Sequence, residues 1–209
     1  MMLPRLLLLT DRSQLPLGRS LVATLRECVA AGAGTVVVRE LDLPERQRAA
    51  LVESVADLGC TVISARTLLP GAVGVHRSSD WRGVGVWRGA VAAECGVHPE
   101  CSDHNSALQL VGWSCHTAEE VRRAAAAGAA YATLSPYAES ASKPGYGPPV
   151  PSDAFAGHGI PVYALGGITL HNPGRAMATG AHGVAVMGEV MRSRDPGGAV
   201  ARLLAEVDA

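Results

Sequence analysis

The feature that most constrains this chain is its rhythm. Short aliphatic or β-branched runs recur eight times, and stretches rich in alanine and arginine separate most of them. The runs cover residues 6–10, 35–39, 60–64, 73–76, 110–114, 131–134, 162–165 and 183–187. Several are apolar throughout rather than alternating, which suits strands of a parallel sheet covered on both faces. Helical periodicity is clear over residues 19–31, 44–58, 118–127, 172–179 and 198–207, with Thr117 and Glu120 spaced as a capping box. Eight βα repeats are what a parallel sheet needs to close on itself, so the expected architecture is an α/β fold, a single (βα)8 TIM barrel. Only residues 66–71 separate the third run from the fourth region, which shortens the helix after strand three to a turn. Residues 77–109 break the rhythm and form an irregular segment between strands four and five, with a weak extra strand expected over 84–87.

Composition narrows the class further. A chain of 209 residues, 48% apolar and 18% charged, has the material for one core, so residues 1–209 are read as one domain. A net charge of −1 offers no basic excess for a nucleic-acid backbone. The leucines at 6–9 are far short of the roughly 20 residues that span a bilayer, and Asp11-Arg12 follow at once; a cytoplasmic protein with no membrane partner is expected. Five cysteines cannot all pair, and reduced thiols are the simpler expectation. Cys95, His98, Cys101 and His104 recur every three residues and could present zinc donors, but Pro99 interrupts them and the spacing matches no named finger. No metal ligand is assigned.

In a barrel of this kind, chemistry gathers where the βα loops leave the C-terminal ends of the strands. Gly166-Gly167 follow the seventh run and Gly188 the eighth. Glycine there lets backbone N–H groups approach an anion, so the two loops read as a phosphate site. The loop after the sixth run carries Glu139, Ser140, Ser142 and Lys143 on a Gly/Pro frame. Lys143 is the only lysine beside seventeen arginines. Arg39 ends the second run, where its guanidinium either enters the barrel mouth or pairs at the surface with Glu40 or Glu27. His76 and His116 also sit at strand ends and could move protons near neutral pH, although such histidines are more often structural.

Several segments together carry a resemblance. In order they are Leu9-Thr10-Asp11, Val38-Arg39-Glu40, Gly74-Val75-His76, Gly112-Trp113-Ser114-Cys115-His116-Thr117, Ser140-Ala141-Ser142-Lys143-Pro144-Gly145, Ala164-Leu165-Gly166-Gly167-Ile168 and Gly183-Val184-Ala185-Val186-Met187. In order and spacing this chain resembles the thiamine phosphate synthase/TenI family. The resemblance implies a thiazole phosphate ligand with its phosphate on Gly166, Gly167, Met187 and Gly188. It also implies a pyrimidine or pyrophosphate side lined by Arg39, Ser114 and Lys143, and pairing into homodimers. There are departures. Val37 and Leu41 stand where a synthase carries Gln and Lys, Ser64-Ala65 where it carries Asn-Asp, and Trp81, with Asp80 beside it, where a second magnesium aspartate belongs. These departures point to the TenI-like branch and a thiazole tautomerase type of isomerase, which needs proton transfer but no metal. The TenI loop histidine falls at Pro136, so His116 is the expected general acid/base, with His76 and Glu139 as the other candidates. The alternatives are the synthase reaction, which would bring Mg2+ as cofactor, and a family member that binds the phosphoester without turning it over.

Overall fold

The computed structural model describes residues 3–80, 110–139 and 147–208. Within them run the strands β1 (Leu6–Leu9), β2 (Thr35–Val38), β3 (Thr61–Ala65), β4 (Gly74–Arg77), β5 (Leu110–Cys115), β6 (Tyr131–Leu134), β7 (Val162–Leu165) and β8 (Gly183–Val186). Neighbours pair in parallel, and β8 returns to β1 with Val184 opposite Leu6 and Val186 opposite Leu8. The sheet is a closed (βα)8 barrel, as the rhythm of the sequence requires.

Strands β1 and β2 read as near-continuous apolar runs because strands of a closed parallel barrel are covered on both faces. Side chains alternate between them: Leu7, Leu9, Val37, Ile63, Leu110, Tyr131, Tyr163 and Ala185 cluster inside the barrel. Leu6, Leu8, Val36, Val38 and Val62 belong to the other layer, shared with helix residues such as Leu25, Val52 and Leu203. One strand position breaks the pattern for a reason of space. Gly112 pairs in register with Tyr131, and a Cβ built on it would lie 2.1 Å from the Tyr131 ring.

Helices α1 (Leu21–Ala30), α2 (Glu45–Ala56), α3 (Ala118–Ala126), α4 (Pro173–Ala178), α5 (Gly188–Met191) and α6 (Pro196–Val207) accompany the strands. Ser20 caps α1 by accepting from the Ala23 amide at 3.1 Å, and Thr117 caps α3 by accepting from the Glu120 amide at 3.1 Å. The box expected at α3 closes one residue further out. Glu120 Oε2 accepts from the amide of His116, not of Thr117. Helix α6 starts two residues before the periodicity suggested, because Asp195 accepts from Gly198 N at 2.8 Å and Pro196 fits the first turn. Helix α5 was not foreseen, since four residues are too few to show a period.

Between β3 and β4 the helix is replaced by a turn, and Ser64 builds it. Its hydroxyl donates to Thr67 O at 2.6 Å and accepts from Leu69 N at 3.2 Å. The strand expected over 84–87 and the Cys95, His98, Cys101, His104 series lie outside the described residues. Among the described residues Cys28, Cys60 and Cys115 are free thiols. No described helix is long and apolar enough to cross a membrane.

Candidate active site at the barrel mouth

The C-terminal ends of β7 and β8 open onto a cavity of about 140 Å3 lined by Gly166, Gly167, Thr169, Met187, Gly188 and Arg192, with Glu139 at its edge. Gly166 and Gly167 have φ of 88° and 70°, a region other residues enter only with strain. The loop after β6 lies directly on this turn. Tyr137 N donates to Leu165 O at 2.8 Å and Ala138 N to Gly166 O at 3.0 Å. Asn172 fixes the far side, donating from Nδ2 to Gly167 O at 2.8 Å while its Oδ1 accepts from Thr169 N at 2.9 Å. The glycine turn is thus held on two sides with its face to the cavity.

Arg39 enters the same mouth from β2. Its amide donates to Thr10 Oγ1 at 3.0 Å, and its guanidinium Nη1 lies 3.1 Å from Met187 Sδ, on the wall of the cavity. Neither surface pair considered for it forms. The buried carboxylate of Glu40 accepts instead from Arg12, from the amide at 3.1 Å and from Nη1 at 3.0 Å, and Glu27 pairs with Arg19. Among the described residues no carboxylate lies within ion-pair distance of Arg39. Its charge also bears on Asp11, whose carboxyl lies below the usual range despite burial, which acts the other way, because hydrogen bonds from Ser13 and Gln14 outweigh it and Arg39 adds to them.

His76 projects from β4 into the barrel and is buried. Its Nδ1 lies 3.0 Å from the Tyr131 hydroxyl and its Nε2 2.9 Å from Ser114 Oγ. Burial first, and Arg39 second, push its pKa down to about 3, so the ring is neutral near pH 7. This works against His76 as a proton donor in the mouth. It also has a consequence for stability. Between about 6.5 and about 3 the unfolded chain takes up a proton that the folded chain refuses, so His76 costs nothing above pH 6.5 and destabilises progressively as pH falls through that window. The slope reaches at most about 1.4 kcal/mol per pH unit. Urea midpoints measured from pH 7.5 to pH 4 are expected to fall more steeply for the wild type than for His76→Gln; parallel curves would remove this assignment.

His116 is placed differently from the expectation. Its Nδ1 lies 3.0 Å from Ser135 O and 3.2 Å from Ser135 Oγ, and it lines a separate open groove of about 790 Å3 with Pro136, Pro148, Pro151, Asp153 and His158. It does not line the glycine cavity, and neither do Arg39 and Ser114. Glu139 does border the cavity. Ser140, Ser142 and Lys143 lie outside the described residues. Sequence reasoning missed Arg192 and Thr169 on the cavity wall and Tyr131 beneath it. The one signal that could have pointed to Tyr131 is the glycine at 112, whose place its ring requires.

The family's magnesium can be tested against these residues. Ser64 spends its hydroxyl on the β3–β4 turn, Ala65 has no donor atom, and Asp80 Oδ1 accepts from Ser78. No group of three or more potential metal donors occurs among the described residues. The described residues do not supply a carboxylate set for the metal.

A closed (βα)8 barrel with a glycine-lined cavity after its last two strands has the form of the barrels that carry a phosphate site there. Comparison with known proteins places it more narrowly. The family model described as thiamine monophosphate synthase matches residues 6–190, and the chain belongs to that family. A Geobacter sulfurreducens protein carrying a provisional thiamine-phosphate synthase name is 34% identical over 91% of this chain and 88% of its own length. The thiamine-phosphate synthase of Methanoculleus marisnigri is 31% identical over 85% of this chain and 83% of its own. Among solved structures, thiamine phosphate pyrophosphorylase from Pyrococcus furiosus superposes with a TM-score of 0.76 at 23% identity, over 98% of this chain and 95% of that one.

Proposed function

We propose that this barrel seats a thiazole phosphate on the Gly166, Gly167 and Gly188 turns and joins it to a pyrimidine diphosphate, releasing pyrophosphate. The observation that carries the reading is Arg39. Its guanidinium meets the cavity wall at Met187 with no carboxylate partner among the described residues, so one mouth offers two separate places for anionic charge. A fork of donors in a partly dry site stabilises the charge that builds on a departing pyrophosphate. Ser114, at the end of β5, adds a hydroxyl on the same side, and Lys143 is placed there by the resemblance. The names of the relatives agree with this reaction.

The tautomerase reading fares less well. It needs a proton-exchanging group beside the phosphate; His76 is locked neutral and His116 faces the outer groove, which leaves Glu139. Incubating the purified chain with thiazole phosphate and pyrimidine diphosphate, with and without Mg2+, and measuring pyrophosphate tests the proposal. Pyrophosphate is expected only when both substrates are present. Its absence under every condition would overturn the synthase reading. A spectral change with thiazole carboxylate phosphate alone would put the isomerase in its place, and binding without turnover would leave a carrier.

A further inference from the structure

We propose that Tyr131 and His76 form a proton-ordered relay that fixes the Ser114 hydroxyl as a hydrogen-bond donor toward the barrel mouth, making two buried residues positioning groups for an anionic ligand. The inference rests on the reading of the mouth as an anion site.

The argument is an accounting of protons. Tyr131 is completely buried, and among the described residues its hydroxyl has one partner, His76 Nδ1 at 3.0 Å. Burial raises the phenol pKa far above its ordinary value, so the oxygen keeps its proton. That proton has one acceptor to go to, which makes His76 Nδ1 the bare nitrogen. A neutral imidazole carries one donor and one acceptor, so Nε2 bears the hydrogen. Nε2 lies 2.9 Å from Ser114 Oγ, and the serine oxygen therefore accepts. The reverse order would leave a phenol proton buried with no acceptor among the described residues. A doubly protonated ring is excluded by the same burial and by Arg39.

The geometry then fixes where the serine proton goes. Side chains alternate along β5, and Gly112 faces the Tyr131 ring inside the barrel, so Ser114 also faces inward, one layer nearer the mouth. The His76 and Tyr131 planes are 24° apart with centroids offset by 5.6 Å, and each ring nitrogen has a partner, which holds the imidazole in this orientation. With one of its two lone pairs engaged by Nε2–H, and with no other partner among the described residues, the Ser114 O–H is kept from pointing back at His76 and is free to donate toward the mouth. A hydroxyl whose proton is turned to the mouth suits a phosphate oxygen. Neither Tyr131 nor His76 needs to touch the ligand to impose this choice.

Long-range 1H–15N spectra of histidine-labelled full-length protein read the relay directly. His76 is expected as the Nε2–H tautomer at pH 7, identified as the imidazole that stays neutral on titration to pH 5 and that disappears in His76→Gln. Tyr131→Phe removes the phenol proton with little change of volume; it is expected to populate the Nδ1–H tautomer and to weaken inorganic pyrophosphate binding about tenfold, as Ser114→Ala does. His76→Gln keeps a donor next to Ser114 and is expected to retain most of the affinity, which a loss of packing alone would not predict. An Nδ1–H tautomer in the wild type, or unchanged tautomer and pyrophosphate affinity in Tyr131→Phe, would overturn the relay. Wild type showing the Nε2–H form but binding no pyrophosphate would support the relay and overturn the reading of the mouth on which its use depends.

Discussion

Gly167→Val will abolish binding of thiazole phosphate while leaving a folded barrel. At φ of 70° any side chain carries a strain of about 1–3 kcal/mol, and here the space is taken as well. A Cβ at Gly167 would lie 2.5 Å from Ala138 O and 2.6 Å from Glu139 O, both backbone atoms that cannot swing aside as a side-chain tip could. Relief requires the β7 turn or the loop after β6 to move, and both border the cavity. The expected result is a loss of at least about a hundredfold in affinity, equivalent to roughly 3 kcal/mol, read by calorimetry or by loss of the ligand-induced rise in Tm. Gly157→Ala is the matched control. Its φ of 80° imposes the same kind of strain, but nothing lies within 4 Å of the added carbon, so stability should drop with binding intact. Wild-type affinity in Gly167→Val would show that the glycine turn is not the phosphate seat.

The second large effect lies deeper. Gly112→Ala places a methyl group 2.1 Å from Tyr131 Cζ and 2.3 Å from its hydroxyl oxygen, inside a packed interior. Overfilling a core costs about 1–3 kcal/mol and sometimes more, and the upper end is expected here because Tyr131 is pinned between His76 and the edge of Tyr163. Urea unfolding should show a loss of about 3 kcal/mol. Combining Gly112→Ala with Tyr131→Leu exchanges volume for volume, so the double variant is expected to be more stable than the sum of the two single losses. A cost below about 0.5 kcal/mol for Gly112→Ala would mean that the ring has somewhere else to go.

The barrel was legible in the sequence because its signal is repeated. Eight runs of four or five residues, several of them apolar on both faces, leave few other ways to hide them. The runs of β1, β2 and β8 overshoot by one residue, at Thr10, Arg39 and Met187 where the chain leaves the ladder for the mouth; β3 and β4 sit one residue later than their runs, β5 extends one further, and β6 and β7 coincide. The Gly166-Gly167 turn was legible for a similar reason: a positive-φ turn after a buried strand demands glycine and little else. Proton chemistry was not legible. Histidine at a strand end says nothing about which way its ring turns, and His76 and His116, alike in the sequence, face a buried phenol and an outer groove respectively. Tyr131 looked like one more apolar strand residue, because its hydroxyl matters only through a neighbour 55 positions away.

The seam at which β8 meets β1 joins the first of the eight barrel strands to the last of them. Leu6–Leu9 leaves the ribosome before its β8 partners Val184 to Val186 exist, so that edge of the barrel waits for them. At roughly 5–20 residues per second the wait is on the order of ten seconds. For that interval the nascent chain is an open, leucine-edged ribbon, and shielding it from its neighbours is work that falls to the cell.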